Sequence, residues 1–171
     1  MCYANYTNKA QKVGLSMIEN PVFGQIQFNG FFWEKDIDIN FCGKNCRISL
    51  TIAADEDGEF EVGQYDAYKM LMEKWGNIHS SFLKPILDYY IQKRTELGYD
   101  KVSNEDYPEI RTIEELLQHI EITGLSITYA GIYGNRSAGV TFDCTWDNEN
   151  GIGIQLNDEQ VIEVGYQDIT M

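Results

Sequence analysis

Two aspartates and a glutamate stand around a tryptophan in TFDCTWDNENGIGIQ, residues 141–155. Carboxylates so placed could share a proton, hold a metal ion or flank a bond to be hydrolysed. Spacing decides among these. Val140, Phe142, Cys144 and Trp146 alternate with Asp143, Thr145 and Asp147, the period-two pattern of a strand with one buried face. Asp143 and Asp147 would then lie about 13 Å apart, beyond the ~5–9.5 Å that paired glycosidase carboxylates span. Asp147 and Glu149 could meet at the tip of a turn, where water would keep both solvated. An EF-hand alignment on Gly151 puts Trp146 at the first ligand position and Asn157 at the last, so a calcium loop is not expected.

The next strand presents Ile152, Ile154 and Leu156 as its apolar face. Setting Trp146 opposite Ile154 and Cys144 opposite Leu156 leaves Glu149, Asn150 and Gly151 as a three-residue loop. Gly151 would take its left-handed position. The stretch is expected to be a hairpin, with Trp146 inward and Asp143 and Asp147 outward.

Other reactive residues point to little chemistry. Cys42 and Cys46 in FCGKNC have C-x3-C spacing and no second pair. Setting Phe41 opposite Ile48 pairs Cys42 with Arg47, turns Cys46 inward and leaves Cys42 outward. Separate reduced thiols are expected rather than a disulfide or a zinc site. Cys144 reads as core and Cys2 as tail. His79 and His119 fall on polar helical positions, with no nucleophile elbow beside them. GIYGNRSAG lacks the lysine of a phosphate-binding loop and reads as a hairpin connection. No catalytic residue, metal or cofactor is expected.

The elements that would carry these residues follow from periodicity. VFGQIQF, EKDIDINF and RISLTI read as an antiparallel meander, with Ile37, Ile39 and Phe41, then Ile48, Leu50 and Ile52, on one face. Tyr65, Tyr68, Leu71, Met72 and Trp75 recur at helical spacing up to Gly76. Asn77 is placed to cap a second helix through Ile78, Phe82, Ile86, Tyr90 and Leu97, stopped by Gly98 and open to a kink at Pro85. Thr112 and Glu115 form a capping box for a third, with Ile113, Leu116, Leu117 and Ile120 on its apolar face. LSITYA, AGVTFDCTW, GIGIQL and VIEVGY return to strands. The expected class is α+β: a mostly antiparallel sheet, with N-terminal meander and C-terminal hairpins, and about three central helices on one face. A single domain over residues 1–171 is expected, with residues 1–12 as a loosely held tail.

The 171 residues carry a net charge of -14, and its placement says more than its size. Residues 48–68 hold Asp55, Glu56, Asp57, Glu59, Glu61 and Asp66 with no lysine or arginine. Residues 137–171 hold Asp143, Asp147, Glu149, Asp158, Glu159, Glu163 and Asp168, again with no base. Such surfaces repel nucleic acid and anionic lipid and steer basic partners. Solubility alone is the bland reading of the same charge. The polar start MCYANYTNKA and the lack of a long apolar run lead to the expectation of a cytoplasmic chain without signal peptide or membrane span. Three aromatics in a row, Phe31 to Trp33, cannot share one strand face, so one is expected to be exposed as an interface anchor.

NPVFGQIQFNGFFWEKDIDI, GQYDAYKML, LDYY, FDCTWDNENGIGIQL and VIEVGYQDITM occur in that order. The series resembles an uncharacterised bacterial domain family with F-G-x-[IL], Q-x-x-A-Y, W-D-x-E-H-G-[IL]-G-V and V-G-x-x-D motifs. Asn150 stands where that pattern carries histidine. The resemblance implies no established reaction. It does imply an immunity role, since similar acidic domains occur beside bacterial toxins. The expected function is a non-enzymatic acidic domain that occludes a basic toxin domain. Its expected contacts are Asp55, Glu56, Asp57, Glu59, Glu61, Asp143, Asp147, Glu149 and Trp33. The alternatives are a small metal-dependent hydrolase using Asp147 and Glu149, and a housekeeping protein.

Overall fold

Apolar–polar alternation sets strands β1 (Met17–Asn20), β2 (Gly24–Phe28), β3 (Trp33–Phe41), β4 (Lys44–Ile52), β5 (Ile120–Ile127), β6 (Ser137–Cys144), β7 (Ile152–Asn157) and β8 (Gln160–Gly165). They form one 8-stranded sheet in chain order. The structure is a computed structural model describing residues 16–131 and 134–171; the expected tail, residues 1–12, lies outside these. Every neighbouring pair is antiparallel except β4 and β5, which run parallel. A parallel pair cannot be closed by a tight turn, so a crossover must lie between them.

That crossover corrects the expectation of about three central helices. Helix α1 (Val62–Ile78), a 3-10 turn (His79–Phe82) and helix α2 (Leu83–Glu96) follow without a break, giving one helical run of 35 residues. Gly76 and Asn77 do not end it. A glycine inside a helix costs roughly 1 kcal/mol relative to alanine, less than the burial of Trp75, Phe82 and Ile86 on either side returns. Pro85 has no N–H to give to the carbonyl four residues back, and the chain tightens to 3-10 geometry just ahead of it. The run ends before Gly98, as the spacing predicts. The third helix, α3 (Ile113–Leu116), is a single turn held by the Thr112–Glu115 capping box. Ile120 belongs to β5 instead.

The helical run covers one face of the sheet. Leu71, Trp75, Phe82, Ile86 and Tyr90 join Ile48, Leu50, Ile122, Val140, Phe142 and Ile154 in one buried cluster. β7 is buried on both faces, because a C-terminal 3-10 turn (Gln167–Thr170) lies against the opposite side. Ser126 Oγ donates to the Thr170 carbonyl there at 2.7 Å. No helix among the described residues is long and apolar enough to cross a membrane.

Both register expectations are off by an even number of residues. Ile37, not Phe41, faces Ile48, and Phe41 faces Lys44 across a two-residue turn of Cys42 and Gly43. Val140, not Trp146, faces Ile154, and Phe142 faces Ile152. The three-residue loop is therefore replaced by a longer connection over residues 145–151, although Gly151 does adopt positive φ, +57°.

Candidate functional site

The row Ile52, Ile127, Ala138, Leu156 marks one end of the sheet, and Ile120 opposite Cys144 marks the other. Seven residues of β5 separate them, about 23 Å. The loop after β4 leaves the first end and the β6–β7 connection leaves the second. The loop carrying Asp55 to Glu61 and the group of Asp143, Asp147 and Glu149 therefore lie at opposite ends and do not form one surface.

At the first end, Asp55, Glu56, Asp57, Glu59 and Glu61 are all exposed. Among the described residues none of the five enters an ion pair. The loop carrying them is nevertheless fixed. The Trp33 indole N–H donates to the Asp55 carbonyl at 2.9 Å, and the Asp57 carboxylate accepts the Glu59 amide at 3.1 Å. Gly58 lies flat on the Trp33 ring, where a Cβ would stand 3.2 Å from the indole and 2.9 Å from Ile18. Glu61 starts α1: its amide donates to Gln64 Oε1 at 2.9 Å, and its carboxylate accepts the Ala130 amide at 2.6 Å. Tyr129 adjoins them. Burial pushes its hydroxyl pKa up, and Asp55, Glu61 and Asp57 push it further.

Trp33, an expected contact, is buried in the chain. It is 0% exposed, and its indole forms the floor beneath the acidic loop. The exposed member of the aromatic triplet is Phe31, at 86%. Strand alternation allowed either outcome, and the β2–β3 turn decides it. Phe31 lies in that turn, while Trp33 opens β3 opposite Ile52.

At the second end the carboxylates mostly serve the chain itself. Asp147 accepts the Asn150 amide at 3.1 Å, and both of its oxygens accept from Asn150 Nδ2 at 2.9 and 3.1 Å. Asp143 accepts from Gln167 Nε2 at 3.3 Å, and Glu149 is exposed. Trp146 is buried as the alternation predicts.

Toward the second end the parallel pair opens. β4 and β5 pair only over Ser49–Ile52 and Gly124–Ile127, and below that they diverge around a cleft of about 450 Å³. Phe41, Cys42, Lys44 and Cys46 form one wall, and His119, Ile120, Glu121 and Asp143 the other. Cys42 does not point outward from a strand. It sits in the turn with its Sγ 3.7 Å from His79 Nδ1. His79 is not on a solvent face either; it packs against the rings of Phe41 and Trp75. His119 lies beyond α3 with Nδ1 2.8 Å from Thr145 Oγ1. Burial and the neighbouring Cys46 raise the Cys42 pKa despite the opposing pull of Lys44, and the net rise favours the thiol over the nucleophilic thiolate. The described cysteines are all free, and among the described residues no three His, Cys, Asp or Glu side chains converge as metal ligands.

The chain belongs to the family described as a domain of unknown function (DUF6985), whose profile matches residues 22–171. No curated protein and no solved structure matches it. The matched span takes in the helical run and every strand except β1.

Proposed function

We propose, since the family brings no activity with it, that this chain is a non-enzymatic binding domain whose partner is a basic protein. Its role would be that of a cytoplasmic immunity protein, occluding the active surface of a cognate bacterial toxin. The observation that carries this reading is the loop at residues 55–61: five exposed carboxylates on a backbone held from below, without a cation paired to any of them among the described residues. A fixed field of one sign accelerates encounter with a complementary face, by 10- to 10³-fold on the order of magnitude, and rejects like-charged partners. Asp143, Asp147 and Glu149 contribute less, because Asp147 and Asp143 are engaged by Asn150 and Gln167. That engagement also leaves the metal-dependent hydrolase at Asp147 and Glu149 with little support.

The test is complex formation with the product of the adjacent gene at low ionic strength. A 1:1 complex that salt weakens is expected. A quadruple variant, Asp55→Asn, Glu56→Gln, Asp57→Asn and Glu59→Gln, should associate at least about tenfold more slowly. Glu61 is left intact because it starts α1. The absence of any complex at low salt sinks the proposal, and an unchanged association rate in the variant would favour a role in which the acidity serves solubility alone.

A further inference from the structure

An acidic rim attracts a partner but does not hold it; residence comes from a desolvated apolar anchor. The exposed apolar side chains at the Ile52 end, where the acidic loop leaves the sheet, include Phe31 at 86%, Val62 at 75%, Met17 at 57% and Tyr129 at 39% exposure. Val62 follows Glu61 directly, and Tyr129 feels Asp55, Glu61 and Asp57. Phe31 stands two residues from Trp33, hence within about 7 Å along the chain, and the Trp33 indole is bonded to Asp55.

The backbone that carries Phe31 is also fixed. The Asn29 side-chain oxygen accepts the amides of Phe31 and Phe32 at 3.0 and 3.1 Å. The Asn29 amide donates to the Phe32 carbonyl at 3.1 Å, and its side-chain nitrogen donates to Glu34 at 2.8 Å. A ring presented to water on a turn with four hydrogen bonds loses little backbone entropy when it is buried by a partner. Tyr166, by contrast, already has Lys93 4.8 Å over its ring.

We infer that Phe31, with Val62 and Tyr129 exposed at the same end of the sheet, is the anchor of the partner surface and inserts into an apolar pocket ringed by lysine or arginine. This rests on the binding reading above. The division of labour is then defined: the carboxylates at 55–59 set the association rate, and Phe31 sets the dissociation rate.

Two peptides of equal length and charge test it on the full chain, one of lysine and leucine and one of lysine and serine, followed by amide chemical shifts at low salt. The Lys/Leu peptide should shift Phe31, residues 55–61, Val62 and Tyr129, and bind at least about tenfold more tightly than the Lys/Ser peptide. Phe31→Ser should abolish that preference, leave the Lys/Ser affinity unchanged, and keep the same melting temperature. If neither peptide reaches residues 55–61, the binding reading falls and the anchor with it. If both bind that loop equally, or Phe31→Ser keeps the full preference, the binding reading stands and the anchor is wrong. Leucine-dependent shifts centred on Ile162 and Tyr166 would likewise overturn it.

Discussion

Trp146 and Tyr90 pack ring against ring, with centroids 4.2 Å apart and planes inclined by 44°. The contact ties the β6–β7 connection to α2. Tyr90 extends the tie through its hydroxyl, which donates to the Pro108 carbonyl in the loop beyond α2. Burial pushes that hydroxyl's pKa up to about 12, so it remains a donor across the physiological range. Trp146→Ala removes the ring from a buried site and should cost ~3–5 kcal/mol by urea denaturation. Tyr90→Phe leaves the Pro108 carbonyl without its donor and should cost ~1–2 kcal/mol. A Trp146→Ala loss below the Tyr90→Phe loss would mean that the hydroxyl, not the ring contact, fastens this loop.

Among the described residues, Glu159 is the one carboxylate buried against two cations. Its side chain is 3% exposed; it accepts from Arg136 Nε at 2.7 Å and from Lys74 of α1. Burial alone would raise its pKa, but the bonds from Arg136 and Lys74 more than offset this and hold it below the ordinary range. A depressed folded value contributes stability that is complete above the unfolded pKa of about 4.3 and is lost as pH falls through the folded value. Glu159→Gln should lower stability at neutral pH by ~1–3 kcal/mol, since Lys74 and Arg136 keep access to water. It should also flatten the decline below pH ~4.3. An acid limb as steep in the variant as in the parent would place the responsible carboxylate elsewhere.

Gly153 provides the space on which the C-terminal 3-10 turn rests. A Cβ there would stand 2.4 Å from the Tyr166 carbonyl and 3.0 Å from both Ile169 and Thr170. The nearest of these is backbone and cannot rotate away. Gly153→Ala should therefore lift residues 166–171 and cost ~1–3 kcal/mol. Hydrogen exchange should report faster exchange at Ile169 and Met171 with β3 and β4 still protected, whereas uniform loss of protection would mean that the turn is integral to global folding.

Which side chains face inward was readable from alternation at Ile37, Ile39 and Phe41, and again at Val140, Phe142, Cys144 and Trp146. Alternation has period two, however, so it fixes register only to within an even shift. Both register errors are even: Phe41 faces Lys44 rather than Ile48, and Ile154 faces Val140 rather than Trp146. What chooses among the allowed registers is turn chemistry, and here it is unorthodox. A Cys-Gly turn stands where Asn-Gly would have been the signal. Asp147 and Asn150 hold a longer connection that leaves Trp146 free to reach Tyr90. The helix count failed at Gly76 and Asn77 for a related reason: local stop signals were overridden by burial on either side. The acidic loop was plain in the sequence, but its distance from Asp143 and Glu149 depended on the parallel β4–β5 pairing, which no local pattern announces. Phe31 and Trp33 could be told apart only by where the β2–β3 turn ends.

That Cys-Gly turn yields the last test. Cys42 and Gly43 have φ values of +49° and +84°, the signature of a type I′ turn. Gly43 adopts this freely, while a cysteine in the left-handed region is disfavoured by roughly 1–2 kcal/mol. Asparagine tolerates the region better, because its short amide bonds to the local backbone. Against that gain stands the contact of Cys42 Sγ with His79 Nδ1 at 3.7 Å, which asparagine would not reproduce in kind. A thiol is a weak donor, so the backbone term should win. Cys42→Asn is expected to raise stability by ~0.5–1 kcal/mol, read as a higher urea midpoint with an unchanged slope. A lower midpoint would show that the thiol–imidazole contact outweighs the strain of the turn. The hairpin would then be held to the 3-10 turn through His79, and His79→Ala should reproduce the loss.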